Sequence, residues 1–162
     1  MLTTMQVTKN ITTYAGWSKN PSKIGVHGIF FDEGTDSTAS PQQLYMKNAA
    51  SAVRTAFPGN STVIFNPGTT EPEAYFAWAD FIVDFEDAWS DYSATQTPLK
   101  FPVGDRAKSA IIVHDTPADA DLKGAVETAK GDGIGAIYFT DDCCYNGVDI
   151  LGKVASAVAA AK

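Results

Sequence analysis

Five apolar stretches of this chain end on residues that can move a proton or carry charge. Asp32 and Glu33 follow GIFF, Asn66 follows TVIF, and Glu86 and Asp87 close FIVDF. His114 and Asp115 follow AIIV, and Thr140, Asp141 and Asp142 follow AIYF. Aromatic residues lie near the same positions in the chain, among them Trp89, Tyr92 and Tyr145. Paired carboxyl groups suit glycoside hydrolysis, in which one protonates the leaving oxygen while the other attacks the anomeric carbon or activates a water. Aromatic faces stack on sugar rings. The alternative use of an Asp at a strand end is to cap the next helix or close an Asx turn. Spacing alone assigns Asp87, Asp115 and Asp142 to that use. It leaves Asp32, Glu33 and Glu86 open between the two. Carboxylates converging at strand ends also hold Mg²⁺ in other enzymes, so a metal-dependent chemistry stays open on residue types alone.

The elements that must position these groups alternate. Strands are expected at 24–31, 61–68, 80–87, 108–115 and 133–142, and helices at 40–57, 71–79, about 118–130 and about 148–161. Ser40 reads as the N-cap of the second of the chain's helices, with Pro41 at its first position. Residues 9–17 read as one or two helical turns starting near Asn10 or Thr12, and 93–107 as a long loop. Runs such as Ala110-Ile111-Ile112-Val113 suit parallel strands buried on both faces. The alternation predicts α/β with a parallel sheet. In such folds ligands bind at the C-terminal edge of the strands, in barrels and open sheets alike. That is the edge where the polar residues fall.

The totals exclude several classes. The chain has 162 residues, 44% hydrophobic and 19% charged, with a net charge of −7. This describes one globular domain, and its acidity disfavours nucleic acid as a partner. No apolar run reaches the roughly 18 residues of a membrane helix, and the start, MLTTMQVTKN, shows no signal peptide. The two cysteines, Cys143 and Cys144, are adjacent, and read as free thiols rather than a disulfide framework or metal site. The only histidines are His27 and His114. Neither a metal nor a cofactor is expected.

In this order, TYAGW, GIFFDE, FNPGT, ADFIVDFEDAW, RAKSAIIVH and GIGAIYFTDD…YN resemble the spherulin-4 family (spherulation-specific family 4), from about Ile11 to the end. The resemblance implies a (β/α)₈ barrel of TIM type. It also implies the activity of the characterised fungal members, glycoside hydrolases that cut α-1,4-linked galactosamine polysaccharide. On this footing Asp32 is expected as nucleophile, Glu86 as general acid/base, and Glu33 as a supporting carboxylate. Asn66, His114, Asp141, Trp89 and Tyr145 are expected at the substrate. An extracellular or cell-wall location follows from the resemblance only. A non-catalytic glycan-binding or wall protein is the alternative.

The chain departs from the resemblance in two ways. Five strands are expected where a barrel has eight. The expected architecture is therefore a single domain, 1–162, forming the C-terminal portion of a barrel. Unpaired strand edges would then favour self-association. Second, Asp84 interrupts an apolar strand. It shares the even parity of Glu86, so alternation predicts that both face the barrel interior.

Overall fold

The computed structural model describes residues 2–17, 24–57, 59–147 and 149–161. Helix α1 (Thr4–Gly16) precedes strand β1 (Gly28–Phe31), and α2 (Ser40–Ala56) leads to β2 (Thr62–Phe65). The single-turn α3 (Glu73–Phe76) leads to β3 (Phe81–Ala88). Then come β4 (Ser109–His114), α4 (Leu122–Gly131), β5 (Ala136–Phe139) and α5 (Leu151–Ala160). The five strands form one parallel sheet in the order β1-β2-β3-β4-β5. Each strand lies beside its predecessor, with no reversal of order. This is the winding of a TIM-type barrel wall, not of a doubly wound sheet.

One face of the sheet is the core. Val63 and Phe65 of β2 pack under Met46, Ala50 and Val53 of α2, with Ile11 of α1 and Tyr75 and Phe76 of α3. Ile111, Val113 and Phe139 pack under Ala125 and Val126 of α4 and Val154 and Ala157 of α5. The other face belongs to the alternate residues. Phe30 pairs with Ile64, Glu86 with Ile112, and Ile112 with Tyr138. Phe30 is 48% exposed, whereas Phe65 is fully buried. The apolar runs therefore do not all lie buried on both faces, as the sequence suggests. On the inner row Val83 and Ala110 are buried while Phe30 is exposed, so that face is closed only in part.

Local chemistry sets the element ends. Helix α1 begins six residues earlier than Asn10 suggests, because Thr3 and Gln6 form a capping box in which each side chain meets the other's backbone N–H. Helix α2 starts at Ser40 with Ala39 as N-cap and no side-chain cap, so Ser40 and Pro41 both sit one place further inside than expected. Asp121 caps α4 through Gly124 N, at 2.9 Å. The stretch 93–107 carries two 3₁₀ turns, Pro98–Lys100 and Val103–Lys108, the second reaching one residue beyond it. At Gly28 an added Cβ would stand 2.2 Å from the Thr62 carbonyl oxygen, so β1 lies close to β2 only because its first residue lacks a side chain.

A bulge interrupts the alternation at Asp84. Val83 pairs with Ala110 and Phe85 with Ile111, so Asp84 has no partner of its own in the ladder. The extra residue resets the alternation. Odd-numbered Val83 and even-numbered Glu86 then stand opposite Ala110 and Ile112, on one face. Glu86 is re-aimed to the open face, while Asp84 is 4% exposed and lies beside Glu71 and Ser109.

Candidate functional site

The hydrogen-bond ladder runs past the ends of β1 and β2 and fixes the first two groups. Asn66 N donates to Phe31 O and Gly34 N to Asn66 O, both at 2.8 Å. The turn between them puts Glu33 in the left-handed region, φ 51°. Asp32 and Asn66 thus stand side by side at the strand ends.

Asn66 is 5% exposed and its amide is oriented at both ends. Its Oδ1 accepts from Gly68 N at 3.1 Å, which turns Nδ2 toward the acids. That nitrogen donates to Asp32 Oδ1 at 3.0 Å and to Glu86 Oε2 at 2.6 Å. An amide NH₂ has two hydrogens, and here each serves one carboxylate. Because both bonds end on one nitrogen, the two carboxylate oxygens lie no more than 5.6 Å apart. With the roughly 120° between the amide hydrogens the separation is about 5 Å.

Glu86 is held from the other side. The Tyr145 hydroxyl donates to Glu86 Oε1 at 2.6 Å. Tyr145 reaches back from the loop after β5 because its backbone is left-handed, φ 57°. The Asp142 carboxylate clasps that loop, accepting from Cys144 N at 2.9 Å and Asn146 N at 2.5 Å. Burial first, then the neighbouring Glu86, push the Tyr145 hydroxyl above its ordinary pKa. The phenol therefore stays protonated at neutral pH. The His114 ring stands edge-on to Tyr145, with centroids 6.4 Å apart. His114 Nδ1 lies 2.8 Å from Asp115 Oδ2.

Four of the residues singled out in the sequence therefore form one bonded chain, Asp32–Asn66–Glu86–Tyr145, with His114 against its end. Others fall elsewhere. Glu33 is exposed and, with Asp32, lines a cavity of about 540 Å³ together with Val7, Ile11 and Tyr14 of α1 and Phe30. Asp141 is exposed and makes no hydrogen bond among the described residues. The Trp89 ring packs on Tyr92 and Phe139 beneath the α4–α5 layer, away from the bonded chain. Asp142 does serve a turn, as spacing suggests, and that turn is the one that delivers Tyr145.

A second acidic pair carries no sequence signal beyond the odd placement of Asp84. Glu71 and Asp84 are 3% and 4% exposed. Glu71 N donates to Asp84 Oδ1 at 3.3 Å, but both carboxylate oxygens of Glu71 and Asp84 Oδ2 are buried without a hydrogen bond. Burial, reinforced by Asp36 and Asp84, pushes Glu71 up to about 8. Burial pushes Asp84 up to about 6, against the lowering pull of Ser109 and Glu71 N–H.

Known proteins share this architecture. The crystal structure of Aspergillus clavatus Sph3 in complex with GalNAc superposes with a TM-score of 0.86 at 23% identity, over 98% of this chain and 67% of that one. Spherulin-4 of Physarum polycephalum is 32% identical over 170 residues, covering 94% of this chain. The match takes in 47% of the relative, so the chain spans about half the length of that protein. The sequence profile of spherulation-specific family 4 matches residues 2–159, and the chain belongs to that family.

Proposed function

We propose that the chain carries the reacting carboxylates of a glycoside hydrolase acting on α-1,4-linked galactosamine polysaccharide. The observation that carries this reading is the Asn66 amide shared between Asp32 and Glu86. It holds Asp32 Oδ1 and Glu86 Oε2 within 5.6 Å of each other, which agrees with the roughly 5–5.5 Å of a retaining pair better than with the roughly 6.5–9.5 Å that admits a water in an inverting one. The GalNAc bound to the structurally similar Sph3 agrees with an amino-sugar ligand.

Asp32 attacks the anomeric carbon as Glu86 protonates the departing oxygen. Glu86 then takes a proton from the water that releases the sugar from Asp32. Glu86 must exist in two protonation states, and its two partners differ in their tolerance of this. The Asn66 N–H can only donate. The Tyr145 hydroxyl donates to the carboxylate and turns to accept from the acid form, so Tyr145 is the contact that follows the proton. Glu33, in the cavity lining, contributes charge to substrate binding rather than a reacting group.

A second reading, binding without cleavage, is favoured by the open inner face, where Phe30 is 48% exposed and Tyr145 44%. Reducing-end release from an α-1,4-linked galactosamine polymer separates the two. The assay uses the chain alone and a version with three βα units added before it. Hydrolysis by either form, lost in Asp32→Asn, supports the proposal. Glycan retained by both forms without turnover overturns it in favour of binding.

A further inference from the structure

The loop after β5 holds a second set of donor atoms, which the bonded chain of acids does not use. Cys143 and Cys144 are exposed free thiols with their sulfurs 2.8 Å apart. The Asp142 carboxylate joins them. One ligand atom from each of the three residues lies within 4.8 Å of the other two. The setting is electronegative. The hydrogen bond with Cys144 pushes the Cys143 thiol up to about 11, and Asp115 and Asp142 add to it through their charge. Asp142 itself is held ionised by the N–H groups it accepts, Cys144 first.

We propose that Asp142, Cys143 and Cys144 form a binding site for a thiophilic divalent cation of the zinc–cadmium class. Two sulfurs and one carboxylate are a soft donor set, and soft thiolates select such ions over magnesium or calcium. At metal–sulfur bonds of about 2.3 Å and a tetrahedral angle, the sulfurs would stand about 3.8 Å apart. They open by about 1 Å from the observed 2.8 Å, which two exposed side chains reach by small rotations. Asp142 keeps its backbone partners, because each carboxylate oxygen has a second lone pair. The fourth position is open to water or an outside ligand.

The proton balance is explicit. One M²⁺ binds two thiols and a carboxylate, and two protons leave to solvent as the metal–sulfur bonds form. Because two protons leave for each ion bound, affinity climbs with pH. Tyr145 follows Cys144 directly, so a cation that clamps 142–144 stiffens the turn presenting Tyr145 to Glu86. The site stands whether or not the glycan reading does, because its readout is the metal.

The experiment titrates the reduced chain with Cd²⁺, following the thiolate-to-cadmium charge-transfer absorbance and proton release. One ion per chain and two protons are expected, with tighter binding at pH 8.5 than at pH 6.5. The Cys143→Ser, Cys144→Ser double variant, changed only at exposed loop positions, loses the band. Asp142→Asn weakens binding by about tenfold or more. Absence of the band up to millimolar Cd²⁺, or equal affinity in the double variant, overturns the site.

Discussion

The molecule carries two pairs of acids a short distance apart in sequence and opposite in physical situation. Asp32 and Glu86 stand at the open edge of the sheet, tied together by Asn66, with Tyr145 on the remaining oxygen of Glu86. Glu71 and Asp84 lie within the fold, with three of their four carboxylate oxygens unpartnered. The first pair has donors on its oxygens, from the Asn66 amide and the Tyr145 hydroxyl. The second has lost water and gained too few donors to offset it, which favours the neutral forms. The bulge at Asp84 bears on both, since it leaves Asp84 without a ladder partner and brings Glu86 into register with Ile112 on the open face.

The sharpest way to break this contrast is to remove charge from the edge pair. Asp32→Asn and Glu86→Gln are each expected to lower polymer cleavage by about 10³-fold or more, while thermal stability changes by less than about 1 kcal/mol. A large stability change with little change in turnover would assign these acids to the scaffold.

The buried pair should show itself in stability against pH. Glu71 and Asp84 titrate at about 8 and about 6, above the ordinary 4.5 and 3.8. The folded chain therefore holds these protons more tightly than the unfolded chain. Their contribution is complete below about pH 4, and is lost as pH rises through about 6 for Asp84 and about 8 for Glu71. Denaturant midpoints should fall over that interval by an amount worth a few kcal/mol. Glu71→Gln should flatten the limb between pH 6 and 8. A profile that rises across the same range would contradict the neutral assignment.

Asn66→Ala tests the bridge. It deletes the donor shared by Asp32 and Glu86 and leaves Gly68 N without its side-chain partner. Cleavage should fall by about 10²-fold and stability by about 1–3 kcal/mol. The smallest effect is expected for Tyr145→Phe, which removes one hydrogen bond at an exposed position. Turnover should fall by roughly tenfold with stability unchanged. Unchanged turnover would leave the Tyr145 hydroxyl without a part in the reaction.

Much of this was legible in the chain and some was not, for reasons that particular residues show. The five strands announce themselves as apolar runs, and a polar residue at the end of each places it at the ligand-binding edge of a parallel sheet. Strand–helix alternation pointed to a parallel sheet without choosing between barrel and open sheet; the barrel winding came with the spherulin-4 resemblance. Alternation could not reveal the bulge, because one inserted residue leaves no compositional trace. Parity therefore does not carry across Asp84, whose burial the odd placement did signal. The start of α1 was legible in principle, since Thr3 and Gln6 have capping-box spacing. Trp89 shows the limit of residue type: an aromatic after a strand can stack on a sugar or fill a core, and here it packs on Phe139. Glu71 reads as the first residue of a helix at 71–79, but the helix begins only at Glu73, and residue type gives no reason to expect the carboxylate before it to be buried.

The most direct test of the central claim is time-resolved proton NMR of the sugar anomer first formed when the polymer is cut. The Asp32–Glu86 separation predicts that the α anomer of the new reducing end appears first and then mutarotates, as covalent catalysis with retention requires. Initial release of the β anomer would mean that water attacks directly, and that Asp32 and Glu86 do not work as the pair their shared Asn66 amide suggests.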